Sequence, residues 1–135
     1  MSAGRATMAG MSDTVDTDHT HHALDYVEIP ASDLLAAKAF YGAAFGWGFT
    51  DYGPGPDYVG IQGPGGTEVG GFRRDEAVTP GGPLVLLYSS DLDASVEAVR
   101  AAGGAVVEGP YAFPGGRRFH FRDPSGNELG VWGPG

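Results

Sequence analysis

The sequence predicts an α+β domain in which two βαβββ modules form a curved mixed sheet, a cup, with helices on its outer face. Three observations lead to this prediction: an internal repeat, a Ser-Asp helix start in each copy of the repeat, and strict alternation of apolar residues along the strands. The 135 residues favour a single domain, and the hydrophobic fraction of 41% is sufficient for a core.

The repeat is carried by two pairs of segments. YVEIPASDL, which begins at Tyr26, aligns with LVLLYSSDL, which begins at Leu84, at an offset of 58 (84 less 26). PGGTEVGGF, from Pro64, aligns with PSGNELGVW, from Pro124, at an offset of 60 (124 less 64). Because both pairs keep their order and nearly keep their spacing, a repeated structural unit is expected.

Each copy predicts the same order of elements. A first strand is followed by a helix that Asp33 or Asp91 caps through its side-chain oxygen and that ends at Gly46 or Gly103. Three short strands separated by Gly- and Pro-rich turns complete each copy. The predicted strands cover about 24–30, 47–52, 57–62 and 67–72, then 83–89, 105–110, 117–122 and 127–132, with helices over 34–45 and 92–102.

The strands alternate between two kinds of face. One parity is apolar, as expected for the side of a sheet that helices cover: Val27, Ile29, Val59, Ile61, Val69, Val85, Leu87, Phe119, Phe121, Leu129 and Val131. The opposite parity mixes aromatic, polar and glycine residues and predicts the lining of a cup: Tyr26, Glu28, Tyr58, Gly60, Glu68, Gly70, Phe72, Leu84, Leu86, Tyr88, Arg118, His120, Glu128, Gly130 and Trp132.

Composition and charge exclude several classes of function. A net charge of −9 with only eight Lys and Arg residues argues against nucleic-acid binding. The absence of cysteine excludes disulfides, thiolate metal sites and cysteine nucleophiles. No apolar run reaches the roughly 20 residues of a membrane span, and no secretory signal pattern is present, so a cytoplasmic protein without membrane contact is expected.

Residues 1–22 form a small, polar, non-periodic segment that predicts a disordered tail, which leaves 23–135 as the domain. Its modules cover about 24–73 and 83–133. His19, His21 and His22 could bind a transition metal weakly, but a solvated tail is the simpler interpretation. The translation start remains open between Met1, Met8 and Met11.

The segments YVEIPASDLLAAKAFYGAAFGW and RRFHFRDPSGNELGVW resemble the opening and closing motifs of the vicinal oxygen chelate superfamily, which contains glyoxalases, bleomycin resistance proteins and dioxygenases. The resemblance covers about residues 24–133. It implies the cup fold and cups built from two modules, often from different chains, so a homodimer is expected. It does not identify the function, because this fold serves isomerases, transferases, oxygenases and binding proteins.

The resemblance also implies four cup-facing positions where metal-dependent members carry ligands. In this chain they are Tyr26, Gly70, Leu84 and Gly130. Leu and Gly cannot bind a metal, and Tyr could do so only as a phenolate, so neither a metal nor another cofactor is expected.

The remaining cup residues are candidates for ligand binding: Tyr26, Glu28, Tyr58, Phe72, Tyr88, Arg118, His120 and Trp132. The aromatic members would stack on a flat ligand or only fill the cup. Glu28 and His120 are the candidate acid–base groups, and Arg118 is expected to pair either with Glu28 or with a ligand anion. Glu68 and Glu128 occupy equivalent positions and would hold a displaced metal, act as acid and base, or support their turns.

The expected function is therefore metal-independent binding or sequestration of a hydrophobic, aromatic small molecule. The alternative is a glyoxalase-like lyase or isomerase that uses Glu28, His120 and Arg118, or a displaced metal. Glyoxalase I chemistry is disfavoured, because it needs a Lewis acid to stabilise an enediolate. A regulatory or structural dimer without a ligand is a third possibility.

Overall fold

The computed structural model of the protein describes residues 19–53 and 57–135. Most of the predicted tail, residues 1–18, therefore lies outside the described residues, while 19–22 are exposed and form no helix or strand. Among the described residues, no helix has the length and hydropathy needed to cross a bilayer.

Two modules with the same element order make up the domain, which confirms the predicted architecture. The first contains β1 (Val27–Ala31), α1 (Leu34–Phe45), β2 (Gly48–Asp51), β3 (Tyr58–Gln62) and β4 (Glu68–Arg74). The second contains β5 (Leu86–Tyr88), α2 (Leu92–Ala101), β6 (Ala105–Phe113), β7 (Gly116–Arg122) and β8 (Glu128–Gly133). Each module forms a four-stranded mixed sheet, ordered β1-β4-β3-β2 or β5-β8-β7-β6, in which only the first and fourth strands of the module pair in parallel.

The helices begin where the sequence predicts. The Asp33 side chain accepts a hydrogen bond from the Ala36 amide at 3.1 Å, and Asp91 accepts one from Ala94 at 3.1 Å. Each cap satisfies an amide that the first helical turn leaves unpaired. Helix α1 ends at Gly46, whose φ of 72° lies in the left-handed region that glycine adopts without strain.

The apolar faces of both sheets pack on one hydrophobic core, to which both helices also contribute side chains. Phe40 of α1 lies 5.8 Å from Phe121 of β7, measured between ring centroids, so the first helix packs on the second module's sheet. Tyr41 of the same helix packs on Phe72 of its own sheet at 5.2 Å. Because the two sheets share this core, their opposite faces point outward and do not close on each other within the chain.

The Asp-Pro-Ser-Gly-Asn turn between β7 and β8 links the two modules through side-chain hydrogen bonds. Asp123 is buried and accepts hydrogen bonds from the Tyr41 hydroxyl at 2.9 Å and from the Asn127 amide at 2.9 Å. The Asn127 side chain donates to the carbonyl oxygen of Pro30 in β1 at 2.7 Å. Burial and the neighbouring Asp123 charge raise the pKa of Tyr41 well above its usual range, so its hydroxyl remains a donor. This motif is therefore structural.

A β-bulge in the first module reverses which side of the sheet the following β4 side chains face, relative to the prediction. Gln62 pairs with Glu68 but Ile61 pairs with Gly70, so one extra residue, Val69, shifts the strand's alternation. Phe72 was predicted to line the cup, but it is fully buried on the helix side, where Tyr41, Trp47 and Phe49 surround it. Gly70 also lies on the helix side, opposite Ile61 and Val27.

Candidate functional site

The cup face of the second module carries a cluster of aromatic side chains around one arginine. Trp132 of β8 contacts Tyr88 of β5, with ring centroids 5.0 Å apart, and Phe113 of β6 at 6.3 Å. The Arg118 guanidinium lies over the Phe113 ring at 5.3 Å and over the Tyr111 ring at 5.5 Å. Tyr88 is 59% exposed, so this face offers aromatic surface and a cation to solvent. We call these five residues the aromatic–arginine cluster.

No carboxylate of residues 19–53 or 57–135 forms an ion pair with Arg118. Arg118 was expected to pair either with Glu28 or with a ligand anion; Glu28 instead pairs with Arg73 of β4, with Oε1 and Nε 3.3 Å apart. In the parallel pairing of β1 with β4, Glu28 lies opposite Gly71, and the bulge brings the adjacent Arg73 side chain to the same face. Within the described part of the chain, the Arg118 side chain donates only its Nε hydrogen, to the Tyr111 hydroxyl at 2.6 Å, so both Nη groups can bind an anion.

His120 lies in a hydrogen-bonded chain across β6, β7 and β8. Its Nδ1 is 2.9 Å from Glu128 Oε2 and 3.8 Å from Glu108 Oε1, and its Nε2 is 2.9 Å from the Tyr111 hydroxyl. A carboxylate accepts but cannot donate, so the close contact with Glu128 places a proton on Nδ1. This side chain is 11% exposed, so most of its surroundings are protein groups.

On the first module's cup face, three phenols surround one carboxylate. Glu68 accepts hydrogen bonds from Tyr26 at 2.8 Å and from Tyr52, and Tyr26 also contacts the hydroxyl of Tyr58. Partial burial, followed by the hydrogen bonds to Tyr58 and Glu68, raises the pKa of Tyr26 well above its usual range. Partial burial also raises the pKa of Tyr58. These phenols therefore remain protonated near neutral pH.

The positions equivalent to metal ligands do not fit a metal. Tyr26 is held as a phenol, and Leu84 and Gly130 offer no ligand atom. Gly70 was predicted to face the cup, but Gly71 occupies that side and also has no side chain that could bind a metal. A Cβ added at Gly71 would lie 2.2 Å from the Tyr58 hydroxyl. One other group in the described residues has metal-ligand chemistry: Glu108, His120 and Glu128, whose ligand atoms lie within 4.8 Å of one another.

A separate cavity of about 600 Å³ lies on the helix side, between the two modules. Its walls are mostly apolar and include Val27 and Ile61 from the first sheet, Val85 and Leu87 from β5, and Trp47. None of the predicted ligand-binding residues lines it. Its size and apolar walls are compatible with a small apolar molecule.

The structure divides the predicted site residues into two groups. Tyr26, Glu28 and Tyr58 lie on the first module's outward face, and Tyr88, Arg118, His120 and Trp132 lie on the second's, while Phe72 joins neither. Sequence reasoning missed Tyr111 and Phe113, because β6, which carries both, was predicted to end at residue 110, and it also missed Glu108, which lies within the predicted part of that strand. The aromatic residues at 111 and 113 were the signal that β6 continues to Phe113.

Comparison with known proteins agrees with the fold. The family model described as "Glyoxalase/Bleomycin resistance protein/Dioxygenase superfamily" matches residues 23–131. The chain belongs to this superfamily. It is 31% identical over 122 residues to the Mycobacterium tuberculosis protein named "Putative glyoxylase CFP32", and the match covers 80% of this chain. It covers 44% of that relative, so the chain spans less than half the length of this curated protein.

Solved structures of the superfamily are similar over most of the chain. The antibiotic binding protein TnmS3 from Streptomyces sp. CB03234 is 26% identical with a TM-score of 0.62, and the match covers 87% of this chain and all of that one. A family enzyme from Burkholderia phytofirmans PsJN is 24% identical with a TM-score of 0.66, covering 80% of this chain and 95% of that one. The latter likeness supports the fold alone.

Proposed function

We propose that this protein binds a planar, mostly apolar small molecule with an acidic group, and that it does so without a metal. The observation that carries the proposal is Arg118, whose Nη groups have no carboxylate partner among the described residues while its guanidinium lies over two aromatic rings, Tyr111 and Phe113. Aromatic walls bury flat apolar surface, and a planar guanidinium matches a carboxylate or sulfonate. The likeness to an antibiotic binding protein is consistent with a small-molecule ligand.

Each cup, on this proposal, is built from two chains. The two outward faces carry exposed apolar side chains, among them Tyr26, Leu84, Leu86 and Tyr88. Neither face can cover the other, since both modules are fixed to one core by their opposite faces. A second copy would cover the second module's cluster with the first module's phenols and bury these apolar groups.

We expect a homodimer at micromolar concentration, measured as twice the chain mass by light scattering. Leu86→Lys should shift the equilibrium towards monomer, because it places a charge on an apolar surface of the cup face. Leu35→Lys is the matched control: Leu35 is also exposed but lies on α1, away from the cup face. A monomeric parent protein, or equal effects of the two variants, would argue against a cup built from two chains.

The stacking part of the proposal is tested with two dyes of matched shape, 8-anilinonaphthalene-1-sulfonate and the neutral N-phenyl-1-naphthylamine. Trp132→Ala should weaken both by about tenfold, because stacking contributes to binding regardless of ligand charge. Fluorescence titration measures both affinities. Unchanged affinity for both dyes would place their site elsewhere, with the helix-side cavity as the obvious location.

Metal independence predicts that protein lacking residues 1–22 contains no stoichiometric metal and keeps its Tm when a chelator is added. The tail is removed because its three histidines could hold a metal unrelated to the domain. Elemental analysis is the measurement. One tightly held zinc, nickel or iron per chain would contradict the prediction, and loss of that metal in Glu128→Gln would assign it to Glu108, His120 and Glu128.

That group of three residues supports the second candidate function, a lyase or isomerase. Two carboxylates and an imidazole are suitable ligands for a divalent transition metal and also suitable acid–base groups. Glu28, the other acid–base candidate, lies on the first module's face in an ion pair with Arg73. Glu28 and Glu128 nevertheless line one cavity of about 230 Å³ within the chain. The absence of cysteine suits a reducing compartment, and we propose a cytoplasmic location.

A further inference from the structure

The helix-side cavity of about 600 Å³ is separate from the cup, and the chemistry of its walls is different. No charged residue of the described chain lines it, and the polar side-chain groups there are the Gln62 carboxamide and the indole N–H of Trp47. We propose that this cavity is a second binding site whose ligand is a compact, uncharged alicyclic alcohol. Its volume lies within the roughly 300–1,000 Å³ of small-molecule pockets. The inference goes beyond the proposed binding of an aromatic acid at Arg118 and does not depend on it.

Branched aliphatic side chains from both modules form most of the cavity wall. Val27 and Val69 come from the first sheet, and Leu87 comes from the second. Val27 and Val69 each leave 42% of their surface exposed, so a bound molecule would remove apolar surface from water. Exposed apolar side chains grouped in a concave surface are typical of a ligand-binding groove. These walls therefore favour a hydrocarbon ligand.

The single aromatic residue among the described lining residues makes its ring contacts inside the protein. The Trp47 ring is stacked on Tyr41, with centroids 4.6 Å apart and planes 17° apart, and it also contacts Phe72 at 6.4 Å. The cavity thus offers a flat ligand no pair of rings to lie between, unlike the aromatic–arginine cluster. Walls of methyl groups pack more closely on a rounded hydrocarbon. An alicyclic skeleton therefore fits this cavity better than an aromatic one.

Gln62 specifies the polar group of the ligand. Its Nε2 donates hydrogen bonds to the carbonyl oxygen of Phe49 at 3.3 Å and to Thr50 Oγ1 at 3.2 Å. A carbonyl oxygen only accepts, so the amide nitrogen must face it, and Gln62 Oε1 has no donor among the described residues. Gly48, which also lines the cavity, leaves this oxygen accessible, because a Cβ there would lie 3.0 Å from Oε1. A ligand hydroxyl can donate to Oε1, whereas a ketone cannot.

Borneol and camphor test the inference, because they share one bicyclic skeleton and differ in carrying a hydroxyl or a ketone. Trp132→Phe leaves Trp47 as the single tryptophan of the full chain, so its fluorescence reports on the cavity. Borneol should shift this emission to the blue and saturate with a dissociation constant below about 1 mM. Camphor should bind about 2- to 10-fold more weakly, the usual net effect of one hydrogen bond. Trp47→Phe, which keeps only Trp132, should give no fluorescence response to borneol.

Two further variants separate the polar contact from the apolar walls. Gln62→Met should abolish the preference for borneol over camphor, because methionine has a similar length but only a weak acceptor. Val69→Phe should weaken binding of both compounds about tenfold or more, because the larger side chain fills the cavity. Val107→Phe is the matched control: Val107 is 44% exposed on β6 and does not line the cavity, so this variant should bind as the parent protein does.

Three results would overturn the inference: no saturable Trp47 response to either compound, equal effects of Val69→Phe and Val107→Phe, or camphor bound as tightly as borneol. If no response occurs and Val69→Phe also lowers the mass measured by light scattering, the cavity is a contact between chains instead. Saturating borneol should leave the affinity for 8-anilinonaphthalene-1-sulfonate unchanged, and displacement of the dye would contradict two separate sites. Failure of the dyes to bind at Arg118 would contradict the proposed function alone.

Discussion

Phe121→Ala should lower the free energy of unfolding by about 3–5 kcal/mol, the usual loss for truncating a fully buried phenylalanine. Phe121 belongs to the second module's sheet, but its ring lies 5.5 Å from Phe45 and 5.8 Å from Phe40 of the first module's helix. The substitution would leave a cavity between the two modules, where neither module can move to fill it without disturbing the other. Urea denaturation should therefore show a single, earlier transition.

Phe113→Ala is the matched control for this prediction. Phe113 is half-buried on the cup face, where it contacts Trp132 and Arg118, so its truncation should cost only about 1 kcal/mol. Two separate unfolding transitions in Phe121→Ala would contradict a shared core. So would a decrease in its free energy of unfolding as small as that of Phe113→Ala. The outward orientation of the two cup faces depends on that core.

Arg118→Ala should weaken binding of 8-anilinonaphthalene-1-sulfonate by about 10- to 100-fold, which corresponds to the roughly 1.5–3 kcal/mol of hydrogen bonds to a charged group. The neutral N-phenyl-1-naphthylamine should lose much less, because Arg118 contributes only stacking and cation–π contact to it. Fluorescence titration of the two dyes gives the difference directly. Arg118→Lys should recover part of the loss, since it restores the charge but not the planar fork.

Arg117→Ala is the control for charge in general. Arg117 is the preceding residue, points to the other side of β7 and pairs with Asp93 of α2 at 3.1 Å. The Arg117→Ala variant should bind both dyes with the same affinity as the parent protein. Equal losses of both dyes in Arg118→Ala would show that Arg118 supports the structure without binding the anion, and equal losses in Arg117→Ala would indicate a general charge effect.

The fold could be predicted from the sequence because its signals are local and repeated. The helix caps Asp33 and Asp91, the end at Gly46 and the alternation along β7 and β8 depend on neighbouring residues alone. The bulge at Val69 could not be predicted in the same way. It arises from how β3 and β4 pair, and it moves Phe72 from the cup to the core.

The site was only partly predictable for a related reason. Arg118, His120 and Trp132 follow the regular alternation of their strands and lie on the predicted face. Tyr111 was missed, because β6 shifts its register twice against β7 and continues beyond the predicted end. Of the two alternatives for Arg118, the pair with Glu28 does not form, because the two predicted cup faces lie in different sheets of one chain, while Arg73 is on the strand adjacent to Glu28.

The most direct test of the proposed function is a crystal structure with 8-anilinonaphthalene-1-sulfonate bound. The sulfonate should lie within hydrogen-bonding distance of the Arg118 Nη groups, with the naphthalene ring against Trp132 and a second chain covering it. Dye bound instead in the helix-side cavity, against Trp47, Val85 and Leu87, with nothing at Arg118, would contradict the account.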